Sequence, residues 1–541
     1  MLFNVVAEYT FFDEFATRFN FIAIDYLIYT NEVISNIRES YPVNTILAVL
    51  LLLNVITFLP VKKHLQRAFV FKSRIGGRMK AGVVLLILPL LSFAAVDLSL
   101  THISPNNYAT ELAGNGIYCL FSAFRNNELD FNKFYVTRDD KAVLAKLREL
   151  VKEKNSSFVK PDDLSVTRVI QPEGAEKHLN VVMIVEESLS ADFMTTFGND
   201  KKITPNLDKL ATESLFFTHL YATGTRTVRG LEALTLSIPP LPGTSIVKRP
   251  KNENFVSWGS VMKEKGYDNK FIYAGHGYFD NMNYFYANNG FATIDRTNFA
   301  KDEITFTNAW GVCDEDLFLK AIKEADLSHA ARKPFFSVVM TTSNHRPFTY
   351  PEGKIDIPSH TGRAGGVKYA DYAIGRLLAE SKKKPWFKDT IFIIVADHCA
   401  GVAAKLALPI KNYEIPLFIY APDRIKPQVV DRMMSQIDIA PTVLGLLNMK
   451  YTSAFVGKDV LTKDSWNERA FISTYQKIGY IHDDKLMVLG PKKEADYFSY
   501  VRKDGATTVL KPPQDDLLME SLAYIQGTNY IYKNRLNRLS K

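Results

Sequence analysis

The run Thr390-Ile-Phe-Ile-Ile-Val-Ala396 is apolar on both faces and stops abruptly at Asp397-His398. A strand without polar alternation must be covered on both sides, the condition of a strand inside a parallel sheet flanked by helices. Three other runs share this form. Val181–Val185 leads into Glu186-Glu187-Ser188, Phe335–Met340 into Thr-Thr-Ser-Asn-His345, and Lys270–Tyr273 into Ala-Gly-His276. Ligands of open α/β sheets lie beyond the carboxyl ends of the strands. If the four runs are parallel neighbours, their polar ends converge on one crevice with the makings of a metal-assisted active site. Helical patterns lie between the runs, among them Thr204-Pro-Asn-Leu, where Pro205 suits a first helical turn, and Lys368–Leu378. The alternation predicts an α/β domain over 176–464, a mostly parallel sheet with helices on both faces. From 465 to 541 the pattern shifts to short strands and turns, which predicts a small antiparallel subdomain followed by a polar, basic tail.

A chain of 541 residues that is 47% hydrophobic exceeds one ordinary domain and has apolar residues to spare. Val43–Leu59 and Ala81–Val96 carry no charge, and each is close to the length of a membrane-spanning helix. Between them, residues 61–80 hold Lys62, Lys63, Arg67, Lys72, Arg74, Arg78 and Lys80 with no acid. Short cytoplasmic loops collect Lys and Arg, so 43–97 is expected to be two transmembrane helices joined by an internal basic loop. Residues 1–42, with six acids against two arginines, and the long remainder are expected outside. The segment Phe19–Tyr29 is apolar and aromatic but carries Asp25, and reads as an interfacial piece. No basic segment followed by an apolar core opens the chain. A chain starting outside without one implies further membrane helices before Met1 or a different start. Residues 98–175, with a helical pattern over 139–154, read as a connector that holds the outer domain off the bilayer.

The basic loop carries +7 of the net +8, which leaves +1 for the other 521 residues and no basic face for nucleic acid. Cys119, Cys313 and Cys399 are far apart and odd in number, so they form neither a metal-binding pair nor a disulfide framework.

Glu187, Asp397 and His398 offer oxygen and imidazole donors for a hard or borderline cation. Ala222-Thr-Gly-Thr-Arg-Thr-Val-Arg-Gly-Leu-Glu-Ala-Leu is a loop running into a helical pattern. A hydroxyl at that helix start would sit among free backbone N–H groups, an environment that suits an alkoxide or a bound phosphate. Thr227 stands next to the helical pattern, with Thr223 and Thr225 as competitors. Glu186 competes with Glu187. Asp314 and Asp316, after Trp310, read as capping and packing residues.

Asn180-Val-Val-Met-Ile-Val-Glu-Glu-Ser, Thr204-Pro-Asn-Leu, Gly224-Thr-Arg-Thr-Val-Arg-Gly, Trp310-Gly-Val-Cys-Asp-Glu-Asp-Leu-Phe, Thr342-Ser-Asn-His-Arg-Pro-Phe, Val395-Ala-Asp-His and Tyr413-Glu-Ile-Pro-Leu occur in this order. Together they resemble the lipoteichoic acid synthase family of the alkaline phosphatase and sulfatase superfamily. The resemblance covers roughly residues 100–480 and implies a sulfatase-like α/β catalytic domain outside a bacterial cytoplasmic membrane. It implies transfer of a phosphoglycerol-type group from a phospholipid donor to a glycan or polyol acceptor through a phosphothreonine. Position by position, Thr227 matches the nucleophile, and Glu187, Asp397, His398 and Thr227 itself match the metal ligands. His345 matches a histidine that holds the substrate phosphate. Similar enzymes use manganese, magnesium or zinc, and three oxygens with one imidazole are compatible with Mn2+. The chain departs from the family in Gly275–Asn283, where some members carry an arginine that grips glycerophosphate. His276, Tyr278 and Asn281 are the nearest residues here, and Arg346 or Arg229 are candidates for the missing cation. A sulfatase-type hydrolase would call for Cys-x-Pro-x-Arg at the Thr227 loop. A phosphoethanolamine transferase would call for more cysteines, and a lipid sensor would not need the four site residues.

Overall fold

A computed structural model describes the whole chain except residues 1, 16, 71–73, 102, 105, 126–129, 161–162, 402–407, 463–466, 512 and 540–541. Two compact units result, Met1–Asn127 and a larger one of Glu128–Val402 with Leu408–Lys541.

The first unit opens with helices Leu2–Phe15, Phe21–Ile28 and Thr30–Ser40, followed by α1 (Val43–Val70) and α2 (Ile75–Ala95). In their most apolar windows only 6% of α1 and 0% of α2 is buried, so neither helix serves a core in this unit. Both are long and apolar enough to cross a membrane. The stretch expected as a loop over 61–80 is largely helical, because α1 runs on to Val70 and α2 begins at Ile75. Lys and Arg are good helix formers, so the positive charges extend the helices instead of ending them.

In the larger unit an eight-stranded sheet contains β1 (Asn180–Glu186), β2 (Leu215–Tyr221), β3 (Asp268–Tyr273), β4 (Ala292–Ile294), β5 (Phe335–Met340), β6 (Thr390–Ala396), β7 (Glu414–Tyr420) and β8 (Gln428–Ser435). Their spatial order is β8-β2-β7-β6-β1-β5-β3-β4. Every pairing is parallel except those of β7, which runs against both β2 and β6. The central strands β1, β5, β6 and β7 are buried along their whole length, as their unbroken apolar runs predict. The four runs singled out in the sequence lie side by side as β6-β1-β5-β3, so their polar ends do meet at one edge.

A five-stranded antiparallel meander follows: β9 (Arg469–Ser473), β10 (Ile478–His482), β11 (Lys485–Gly490), β12 (Glu494–Tyr500) and β13 (Thr507–Val509). It is fastened to the main sheet by Arg469, whose two terminal nitrogens each donate to a carboxylate oxygen of Asp438 at 2.8 Å, with both groups buried. The segment read as a connector belongs, from residue 128, to this same unit. Its helix α3 (Asp140–Val151) buries Val143, Leu144, Leu147 and Val151. Its partner is the last helix, Asp515–Lys533, where a side chain at Gly527 would meet Leu147 at 2.9 Å. Gln526 of that helix bonds the Arg138 N–H and carbonyl at 3.1 and 2.8 Å. The helical pattern was an apolar face awaiting the far end of the chain.

Candidate active site

Register sets the site. Glu186 of β1 pairs with Ala396 of β6, and Val185 with Met340 of β5. The residues that follow, Glu187, Asp397 and Thr341, therefore leave the sheet together. The Ser188 N–H donates to Asp397 Oδ1 at 2.8 Å, and its hydroxyl donates to Glu187 Oε1 at 2.6 Å. Ser188 holds both carboxylates from a left-handed backbone conformation, φ 53°, which a serine adopts only under tertiary constraint. His398 donates its backbone N–H to Asp397 Oδ1 at 2.7 Å, and its Nδ1 lies 2.7 Å from the Cys399 carbonyl. That bond fixes the imidazole so that Nε2 faces Asp397 Oδ2 and Glu187 Oε1, at 3.5 and 3.7 Å.

Thr227 is the first residue of α4 (Thr227–Leu236), and the preceding Arg226 gives no side-chain cap. The Arg229 N–H already bonds the Arg226 carbonyl at 2.9 Å, which leaves the N–H groups of Thr227 and Val228 and the positive helix end at the strand edge that Thr227 touches. Thr227 Oγ1 lies 3.3 Å from Glu187 Oε2. The competing Thr223 is buried, and its hydroxyl bonds Gln436 Oε1 and the Arg229 carbonyl at 3.1 and 3.2 Å. Gly230 lets α4 rest on the Asp397 carbonyl, where any Cβ would clash. Glu186 stays out of the cluster; its Oε2 accepts from Thr341 at 3.0 Å.

One donor atom each from Glu187, Asp397 and His398 falls within 4.8 Å of the others. Asp397 Oδ2 is buried and accepts no hydrogen bond. Burial, and then the Glu187 charge, raise the Asp397 carboxyl to about 7. Burial also raises Glu187, but the nearby charges of His398 and His345 and the Ser188 hydroxyl bring it below the usual range. Two buried carboxylates, one of them with an orphaned oxygen, beside an imidazole and a hydroxyl fit a divalent cation. The oxygen-rich set does not choose among manganese, magnesium and zinc.

His345 is placed by its loop. Asp314 Oδ1 accepts the N–H groups of Thr342 and Ser343, both at 3.1 Å. Trp310 packs against His345 with ring centroids 4.0 Å apart and the planes tilted by 40°, and it donates Nε1 to the Arg346 carbonyl at 2.7 Å. Trp310 also meets Phe279 edge-on at 5.6 Å, linking His345 to the 275–283 segment. There His276 stacks on Tyr278 at 5.7 Å, and the Asn281 amide donates to the Val247 carbonyl at 2.8 Å. Asp280 and Asn281 are both left-handed, φ 51° and 63°. Arg229 does not supply the cation missing from this segment. It is buried and turned inward, pairing with Glu232 Oε1 at 3.1 Å and bonding the Gly243 carbonyl.

Sequence reasoning missed Arg363. Its guanidinium lies 4.8 Å over the Phe348 ring, and its charge is among those that lower Glu187. The signal that could have found it is the glycine pair after it. A Cβ at Gly366 would press on Asn344 Oδ1 at 3.1 Å and Phe348 Cδ1 at 3.2 Å, so the start of the helix Arg363–Ser381 must approach the His345 loop closely. Gln436 was missed too, and nothing local marks it.

Comparison with known proteins accords with this geometry. A sequence model described as Sulfatase matches residues 179–449, half of the chain. A solved protein of the alkaline phosphatase superfamily from Vibrio parahaemolyticus superposes with a TM-score of 0.71 at 34% identity, covering 76% of this chain and 100% of that one. The chain belongs to the sulfatase family, within the alkaline phosphatase superfamily. Phosphoglycerol transferase I of Xanthomonas campestris pv. campestris is 26% identical over 321 residues, 54% of this chain and 44% of that protein. Lipoteichoic acid synthase 2 of Bacillus subtilis is 24% identical over 393 residues, 68% of this chain and 58% of that protein. The chain thus spans about half the length of the curated relatives it matches. The resemblance read from the seven motifs is borne out by relatives of that name.

Proposed function

We propose that the protein is a membrane-anchored, divalent-metal-dependent phosphotransferase that moves a phosphoglycerol-type group from a phospholipid to a glycan or polyol hydroxyl. The observation that carries this reading is Thr227 Oγ1, at a helix N-terminus, 3.3 Å from the carboxylate of Glu187 in the three-residue donor cluster. The names of the relatives, a phosphoglycerol transferase and a lipoteichoic acid synthase, support the choice of group.

Glu187, Asp397, His398 and Thr227 would hold the cation, which supplies Lewis acidity toward a phosphoryl oxygen and favours the ionised hydroxyl. Thr227 attacks the lipid phosphorus, the new Oγ–P bond replaces the P–O bond to diacylglycerol, and diacylglycerol gains overall the proton Thr227 loses. The Thr227 and Val228 N–H groups at the start of α4 receive charge on the phosphoryl oxygens. His345, held by Trp310 and Asp314, orients the phosphate. Arg363 supplies the cation that the 275–283 segment lacks, and His276 and Tyr278 line the approach. An acceptor hydroxyl then takes the group, and Thr227 recovers its proton. α1 and α2 keep this site at the outer face of a bacterial cytoplasmic membrane, with their joined basic ends inside, where the lipid is at high effective concentration.

The reading is tested by intact-mass measurement after incubation with phosphatidylglycerol vesicles and Mn2+. The wild type is expected to gain one phospho-alcohol mass on Thr227, and T227A none. A gain that persists in T227A refutes the nucleophile. Chasing the adduct with a polyol separates transfer from hydrolysis, because only transfer moves the mass to the polyol.

A further inference from the structure

We infer that Gln436 is a positioning residue for the transfer, holding the nucleophile loop and the ligand-bearing end of β6 in one register. The inference rests on the reading of the site given above. Gln436 follows β8 and is completely buried. Its Nε2 donates to the carbonyls of Ala396 and Asp397 at 2.9 and 2.8 Å. Its Oε1 accepts the Thr223 N–H at 2.9 Å and the Thr223 hydroxyl at 3.1 Å. Both amide hydrogens are therefore used, the amide oxygen takes the Thr223 N–H and shares the hydroxyl proton with the Arg229 carbonyl, and the two ends grip different partners. One grips the peptide that carries Asp397 and His398. The other grips the residue four positions before Thr227.

The Asp397 carbonyl that Gln436 holds is also the surface on which Gly230 of α4 rests, so Gln436 sets the level at which helix and strand end meet. The opposite side of Thr223 is closed by Ser473, whose hydroxyl donates to its carbonyl at 2.7 Å. With Thr223 held on both sides, the loop to Thr227 has one fixed origin relative to the donor cluster. A displacement of about 1 Å between an attacking group and its partners costs on the order of 100-fold in rate, which is the margin this amide protects.

Two variants test the assignment. Gln436→Met keeps the volume and removes all four bonds. Thr223→Val removes the hydroxyl, and with it the bonds to Gln436 and to the Arg229 carbonyl, and leaves the hold on β6. Each is compared with wild type by thermal melting, by calorimetric titration with Mn2+, and by the rate of Thr227 adduct formation against phosphatidylglycerol concentration. Gln436→Met is expected to weaken Mn2+ binding about 10-fold and to cut the saturating rate about 100-fold, with half-saturation by lipid unchanged. Thr223→Val is expected to keep wild-type Mn2+ affinity and half-saturation while losing about 10-fold in saturating rate. A generally damaged fold would instead move the melting temperature and half-saturation together, and that result overturns the assignment. So does a wild-type saturating rate in Thr223→Val, a measurement that stands even if Gln436→Met does not fold. If wild type itself forms no adduct, the failure belongs to the reading of the site. The Mn2+ affinity of Gln436→Met then decides the tie to β6.

Discussion

Arg363 and Arg229 show how little a residue's spacing from Thr227 says about its use. Arg229 is two residues from Thr227 and is consumed by Glu232, whereas Arg363 is more than a hundred residues away and acts on Glu187. Replacing Arg363 with alanine is expected to raise the half-saturating phosphatidylglycerol concentration about 10-fold, the worth of one charge-assisted hydrogen bond, with a smaller effect on the saturating rate. A neutral variant with unchanged half-saturation removes Arg363 from the substrate's path. Glu187, Asp397 and His398 were legible because each directly follows a strand that announces itself, and Thr227 because a helix start does the same. Gln436 was not legible. Its partners are 213 residues away at Thr223 and 39 and 40 away at Asp397 and Ala396, and a buried glutamine carries no local pattern.

The contact between α4 and the end of β6 depends on Gly230, whose missing side chain is the space occupied by the Asp397 carbonyl. Gly230→Val is expected to destabilise the protein by about 1–3 kcal/mol through overpacking, read from urea unfolding of the detergent-solubilised protein. It should also abolish adduct formation, because the helix start must lift. Retention of wild-type stability and rate would mean that helix and strand have room to separate. At this scale the unbroken apolar runs gave the buried strands correctly, and alternation with helices gave the parallel sheet. The reversed direction of β7 escaped notice, since an apolar run has no polarity. Pro416 lies at its irregularity. The β2–β7 register shifts between Phe217 and Leu220, around the β7 residues Ile415–Leu417, which is where a residue without an N–H is tolerated. Charge misled at α1 and α2, where lysines and arginines continue helices that the sequence reading had ended.

Over the larger unit, the last helix closes both the connector and the meander. His482 Nδ1 on β10 lies 2.7 Å from Glu520 Oε2, and Tyr480 donates to the same oxygen at 2.9 Å. The hydrogen bond to Glu520 raises His482 above 6.5 despite burial. Burial raises Glu520, but His482 outweighs it and lowers the carboxyl below 4.5. The histidine's contribution is complete below 6.5 and is lost as pH rises through its raised native value. The glutamate's is complete above 4.5 and is lost as pH falls through its lowered native value. The pair therefore stabilises most between those limits. Glu520→Gln is expected to cost about 1.5 kcal/mol there and distinctly less at alkaline pH, as followed by urea midpoints across pH. A cost independent of pH would assign the pair no charge. Ser473, in the meander, closes the far side of the residue that anchors the Thr227 loop. The stretch beyond residue 449, about a sixth of the polypeptide, is thus a brace for the segment that leads to Thr227 and no appendage, and a truncated product ending where the family match ends would leave Thr223 held on one side only.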